Sequence, residues 1–160
     1  MIRDASVADA ESVCAIYNPY ILETVITFEE EPVSAETMGK RIADVTATYP
    51  WLLFVEGERV LGYAYARKFH ERAAYRHTVE LAVYLAQGSL GKGVGTALYR
   101  ELLMRLKPLN VHTALGGIAL PNEKSVALHE KLGFKKVAHY EEVGRKFGQW
   151  IDVGYWQVKL

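Results

Sequence analysis

The sequence predicts one α/β domain built on a mixed sheet. Three observations lead there. The chain has 160 residues, half of them hydrophobic, which is enough for a real core and suits a single domain over 1–160. Apolar periodicity alternates between strand-like and helix-like runs in the order β-α-α-β-β-β-α-β-α-β-β. Strands outnumber helices and several follow one another through short turns, which argues against a doubly wound parallel sheet.

Ile2-Arg3 reads as a short first strand. Ala8 to Leu22 carries Val13, Ile16, Tyr17 and Tyr20 at helical spacing, with Cys14 on the same apolar stripe as a buried core thiol. Ser34 to Tyr49 is a second helix, with Ser34 as its N-cap and Pro50 closing it. Trp51 to Glu56 and Arg59 to Arg67 form a hairpin around Gly57-Glu58. Thr78 to Leu85, T-V-E-L-A-V-Y-L, is the next strand. A helix follows a glycine-rich loop and runs to Leu106, where Pro108 and Asn110 break the pattern. Val111 to Ala119 is a strand, and Asn122 to Leu132 a short helix closed by Gly133. Val137 to Val143 and Trp150 to Val158 make a last strand pair around Gly148.

Charge narrows the function classes. Nineteen basic residues balance nineteen acidic ones, so no long-range field for nucleic acid or an anionic membrane is expected. No apolar run is long enough to span a bilayer, and Asp4 and Asp9 interrupt the N-terminus where a secretory leader would need apolar residues. One cysteine excludes an internal disulfide, and the five histidines show no metal-ligand spacing. The expected compartment is the cytoplasm.

The most informative segment is the loop after the T-V-E-L-A-V-Y-L strand, Q-G-S-L-G-K-G-V-G-T, with glycines at 88, 91, 93 and 95. Such a strand-to-helix turn lets backbone N–H groups approach a ligand, and the helix start adds unpaired donors and partial positive charge. The combination suits phosphate or pyrophosphate. A dinucleotide fingerprint fails because Gly95 comes one residue early and the later acidic residue is missing. A Walker loop fails because Val94-Gly95 stands where Lys-Ser/Thr is required. A second constellation lies in P-N-E-K-S-V-A-L-H-E-K-L-G-F, residues 121–134. There Asn122, Ser125 and His129 share one helix face as a polar, ligand-facing stripe.

These two motifs resemble those of the GNAT superfamily of acetyl-CoA-dependent N-acetyltransferases. The likeness is nearer to its phosphinothricin and methionine sulfoximine N-acetyltransferases and runs nearly end to end. It includes I-Y-N-P-Y at Ile16–Tyr20, T-F-E around Phe28, Y-P-W-L at Tyr49–Leu52, G-Y-A-Y-A at Gly62–Ala66, R-A-A-Y-R-H-T-V-E at Arg72–Glu80 and V-G-R-K-F-G-Q-W-I-D-V at Val143–Val153. The resemblance implies a mostly antiparallel central sheet with helices on both faces, acetyl-CoA as co-substrate, no metal, and a homodimer. It implies cofactor contacts at Val83, Leu85, Leu90, Gly91, Lys92, Gly93, Val94, Gly95, Thr96, Asn122 and Ser125. Leu90 stands where the superfamily usually has Gln or Arg, which weakens a side-chain contact while leaving the backbone donors in place.

The implied reaction makes three demands. The attacking amine must lose a proton, the oxyanion needs donors, and the CoA thiolate must leave. Glu80 is the candidate base: a carboxylate inside an apolar strand is costly to bury without a purpose, and the family's catalytic glutamate falls in the same T-V-E. Backbone N–H groups around Val83 and Tyr84 are the expected oxyanion donors. His129 takes the position of a thiolate-protonating tyrosine in many relatives, as general acid or as organiser. The resemblance points to a small amino acid with a carboxylate and a polar far end, bound by Phe28, Arg72 and Tyr75. His70 replaces a family lysine, and Lys146 and Trp150 fall near the substrate entrance. Acetylation of another amine, such as a protein N-terminus, and non-catalytic acyl-CoA binding are the competing readings.

Overall fold

The computed structural model describes residues 1–160. Seven strands form one sheet in the order β1-β2-β3-β4-β5-β7-β6. They are β1 (Ile2–Asp4), β2 (Trp51–Glu56), β3 (Arg59–Lys68), β4 (Thr78–Leu85), β5 (Thr113–Ala119), β6 (Lys135–Lys146) and β7 (Gln149–Lys159). The helices are α1 (Ala10–Glu23), α2 (Ala35–Thr46), α3 (Val94–Leu106) and α4 (Glu123–Lys131). Every strand pair is antiparallel except β4–β5.

Alternation along the central strands produces two cores. In β2, Trp51, Leu53 and Val55 join Tyr63 beneath α1 and α2, while Leu52 points the other way, into the core under α3. The second core adds Val79 and Leu81 of β4 and Leu98, Leu102 and Leu106 of α3. The period of two thus places helices on both faces. Ser34 caps α2 by accepting the Thr37 N–H at 3.1 Å. Asn18 of α1 clamps Val33 in both directions, at 3.0 and 2.9 Å, fixing the strap between the two helices.

The last hairpin is longer than its apolar pattern suggested. β6 spans twelve residues, mostly exposed, and its register shifts between Tyr140 and Gly144, with Glu142 at φ 50°. As the sheet's edge strand it has no alternating apolar face to announce it, and pairing with β7 holds it in place.

One feature of the sheet positions the site. β4 follows β3 without a break from Lys68–Val79 to Gly62–Leu85, but it pairs with β5 only over Thr78, Val79 and Glu80. Beyond Glu80 the two parallel strands diverge, and the far edge of β4 has no strand partner.

Candidate active site

A cleft of about 1070 Å³ opens at this divergence. Its floor is the face of β3 and β4 that carries Tyr65 and Arg67, and Glu80, Ala82 and Tyr84. One wall is the strap after α1, with Thr27, Phe28 and Glu29; across the splay stand Asn122, Ser125 and His129 of α4. The cleft thus unites Glu80, Val83, Phe28, Asn122, Ser125 and His129, residues drawn from distant parts of the chain.

The edge of β4 supplies donors. Ala86 N–H donates to Leu61 O at 2.9 Å. Antiparallel pairs alternate between bonded and non-bonded, so Tyr84 and Ala82 also direct their backbone groups to β3. Leu81 N–H closes the ladder with β5, and the N–H groups of Val83 and Leu85 face the open edge beyond it. Of the expected oxyanion donors near Val83 and Tyr84, only Val83 N–H faces the splay. Divergence from β5, with no bulge against β3, frees it. Tyr20 of α1 donates its hydroxyl to Leu85 O at 2.6 Å, which fixes the end of the strand.

The glycine loop continues from β4 to the start of α3. Gly91 and Gly93 have φ of 77° and 78°, where an L side chain is strained, and space around both is open. The glycines therefore serve the backbone path. The first helical bond is Ala97 N–H to Gly93 O, which leaves the N–H groups of Gly93, Val94, Gly95 and Thr96 without helical partners. Gly91 and Lys92 donate to no backbone group either. The result is a run of consecutive free donors at a helix N-terminus. Leu90 is half-exposed on this loop and adds nothing to the core.

His129 is only 2 % exposed. Its Nδ1 lies 2.7 Å from Ser125 O, and a carbonyl only accepts, so Nδ1 carries the proton. Nε2 is buried without a partner and faces Gly116, where only a missing Cβ makes room for the ring. Burial pushes the imidazole below its ordinary value, against the opposing effect of the Ser125 carbonyl. The group is thus a neutral imidazole offering an acceptor, which suits an organiser better than a general acid. Asn122 caps α4 through Oδ1 to Ser125 N–H, at 3.2 Å.

The burial of His129 has a consequence for stability. Unfolded, the ring takes a proton near pH 6.5; folded, it resists until lower pH. Below pH 6.5 the unfolded state then binds more protons, and stability falls as pH falls. The carboxylates of Asp9 and Glu29, held low chiefly by hydrogen bonds from Arg3 and Arg41, lose their contribution only further down, below about pH 4. Thermal melts between pH 7 and 5 are therefore expected to fall with acidification. A His129→Gln variant should show a shallower slope; an identical slope would contradict the assignment.

Other sequence candidates land elsewhere. Arg72 and Tyr75 sit on the loop between β3 and β4 and do not line the cleft, Tyr75 packing against Phe69 and His70. Lys146 is buried and donates to Thr27 O at 2.8 Å, so it anchors the strap from β6. Trp150 is exposed under the Arg145 guanidinium and lies outside the cleft. Conversely, the sequence did not single out Arg67, Glu29 or Arg41. Glu29 receives two bonds from Arg41, at 2.9 and 2.6 Å, and one from the Tyr17 hydroxyl, so its carboxylate holds the wall together. Arg67 of β3 lies directly opposite Glu80 and donates to it at 3.1 Å.

This architecture matches known proteins over its whole length. Residues 2–154 match the acetyltransferase (GNAT) domain family. The chain belongs to the GNAT acetyltransferase family. The acetyltransferase is 38 % identical to a phosphinothricin N-acetyltransferase of Streptomyces coelicolor, over 99 % of this chain and 95 % of that one. It is 35 % identical to an L-methionine sulfoximine/L-methionine sulfone acetyltransferase of Pseudomonas paraeruginosa, over 99 % and 94 %. A phosphinothricin acetyltransferase from Sinorhizobium meliloti, solved in complex with acetyl-CoA, superposes with a TM-score of 0.96 at 37 % identity, covering 100 % of this chain and 88 % of that one. As a GNAT acetyltransferase, this enzyme takes acetyl-CoA as its acyl donor. The free donors at 91–96 and the unpaired edge of β4 fit such a ligand, with its pyrophosphate and its extended amide-bearing arm.

Proposed function

We propose that the enzyme acetylates the amino group of a small amino acid or analogue of the phosphinothricin or methionine sulfoximine type. The observation that carries this reading is the meeting of Glu80 with the free edge of β4 in one cleft, walled on the acceptor side by Phe28, Glu29 and Arg41. Bound acetyl-CoA supplies an activated acetyl thioester. The loop N–H groups from Gly91 to Thr96 would hold its pyrophosphate. Val83 N–H, facing the splay, would polarise the carbonyl. Glu80 would take the proton that the acceptor ammonium must lose. His129, with Nε2 enclosed against Gly116 and Nδ1 tied to Ser125, would act as an organiser of the α4 wall. A homodimer and a cytoplasmic location belong to the same reading.

The decisive measurement is CoA thiol release on mixing acetyl-CoA with methionine sulfoximine, phosphinothricin and an amino-acid panel. Release with one of the two analogues or a related amino acid is the expected result. Release only with peptides bearing a free N-terminus would redirect the acceptor to proteins. Tight acetyl-CoA binding without turnover on any amine would reduce the protein to an acyl-CoA binder.

A further inference from the structure

Arg67 neither moves a proton nor holds the acyl donor, yet it stands beside the base. It projects from β3 into the cleft, and its register partner across the β3–β4 ladder is Glu80. Their side chains meet at 3.1 Å, with Arg67 half-exposed and Glu80 mostly covered. One Arg67 nitrogen is engaged by Glu80, and its remaining donors have no protein partner. The other cleft arginine differs: Arg41 spends both terminal nitrogens on Glu29. Arg67 is therefore the cleft guanidinium with donors to spare.

An α-amino acid carries an ammonium and a carboxylate on one carbon. That head group is the charge complement of a guanidinium and a carboxylate held side by side. We propose that Arg67 recognises the α-carboxylate of the acceptor while Glu80 faces its ammonium, so that the ion pair reads the zwitterion as a unit. This assignment rests on the amino-acid reading above and sharpens it. The acceptor class is α-amino acids with a free carboxylate, and the acetylated nitrogen is the α-amine. The planar fork of arginine suits a carboxylate in a way that lysine does not. On engagement the substrate carboxylate draws Arg67 towards itself. Glu80 then receives the ammonium proton and becomes the neutral acid, and the amine becomes free to attack.

The test compares L-methionine sulfoximine with its α-carboxamide on wild type, Arg67→Gln and Arg67→Lys, by thiol release. Charge-assisted hydrogen bonds contribute enough that wild type should prefer the acid by about 10- to 100-fold in kcat/KM. Arg67→Gln should collapse that preference towards unity, mainly through KM for the acid. KM for acetyl-CoA should move less than about twofold, because Arg67 faces the acceptor end. Arg67→Lys should recover part of the preference. A merely structural arginine would lower both rates and keep their ratio. An Arg67→Gln enzyme that retains the acid preference overturns the Arg67 assignment alone. A wild type that uses acid and amide equally also overturns it. A wild type that acetylates neither brings down the acceptor reading, and the assignment with it.

Discussion

Replacing Glu80 with Gln should lower kcat by about 100- to 10,000-fold at neutral pH, the usual weight of a positioned general base. The substitution is nearly isosteric and keeps an acceptor for Arg67, so the ladder between β3 and β4 stays intact. The lost ion pair is partly exposed and contributes little to stability, so the fold should persist. Acetyl-CoA binding, read by calorimetry, should change less than about twofold, since the loop donors at 91–96 are untouched. The pH profile adds a second readout. Without a protein base only amine already deprotonated in solution can react, so the variant's rate should climb about tenfold per pH unit while the amine remains mostly protonated. A Glu80→Gln enzyme within threefold of wild type at pH 7, with an unchanged profile, would remove Glu80 from the mechanism.

The second large effect belongs to a residue with no side chain. A Cβ on Gly116 would run into Nε2 of His129 and lie 2.7 Å from its Cδ2. The imidazole cannot retreat easily. Nδ1 is tied to Ser125 O, and the ring sits edge-on between Tyr99 and Phe134, with centroids 5.2 and 5.1 Å away. Overpacking of this kind costs about 1–3 kcal/mol. For a domain of this size that corresponds to a drop of roughly 3–10 °C in Tm. Gly116→Ala should therefore melt earlier and lose turnover, as His129 is displaced from the cleft. Pairing it with His129→Ala should restore much of the lost stability, because the smaller side chain vacates the contested space. A double variant no more stable than the worse single one would show that the two residues do not compete.

The sequence was informative about this site wherever chemistry depends on neighbours in the chain. The glycine spacing marks a strand-to-helix turn, and the structure places Gly91 and Gly93 in that turn at positive φ. The Asn122–Ser125–His129 spacing predicts one helix face, and all three line the cleft. Glu80 could be singled out because a carboxylate in T-V-E-L-A-V breaks an apolar strand. The exposed β6 extends beyond the expected Val137–Val143 at both ends, because an edge strand carries no apolar alternation to mark them.

What the chain alone determined, then, are the local conformations: strand, turn, helix cap and the polar stripe, all fixed by side-chain period and by backbone dihedral preferences. Tertiary structure decided the relations across the sheet. The parting of β4 from β5 after Glu80 turns an ordinary strand edge into a row of donors and singles out Val83 over Tyr84. The β3–β4 register puts Arg67 against Glu80 across a thirteen-residue separation. The absent Cβ of Gly116 makes the place for His129. Register, divergence and close packing arise from the simultaneous burial of two cores on opposite faces of the sheet, a condition that no single segment of sequence carries.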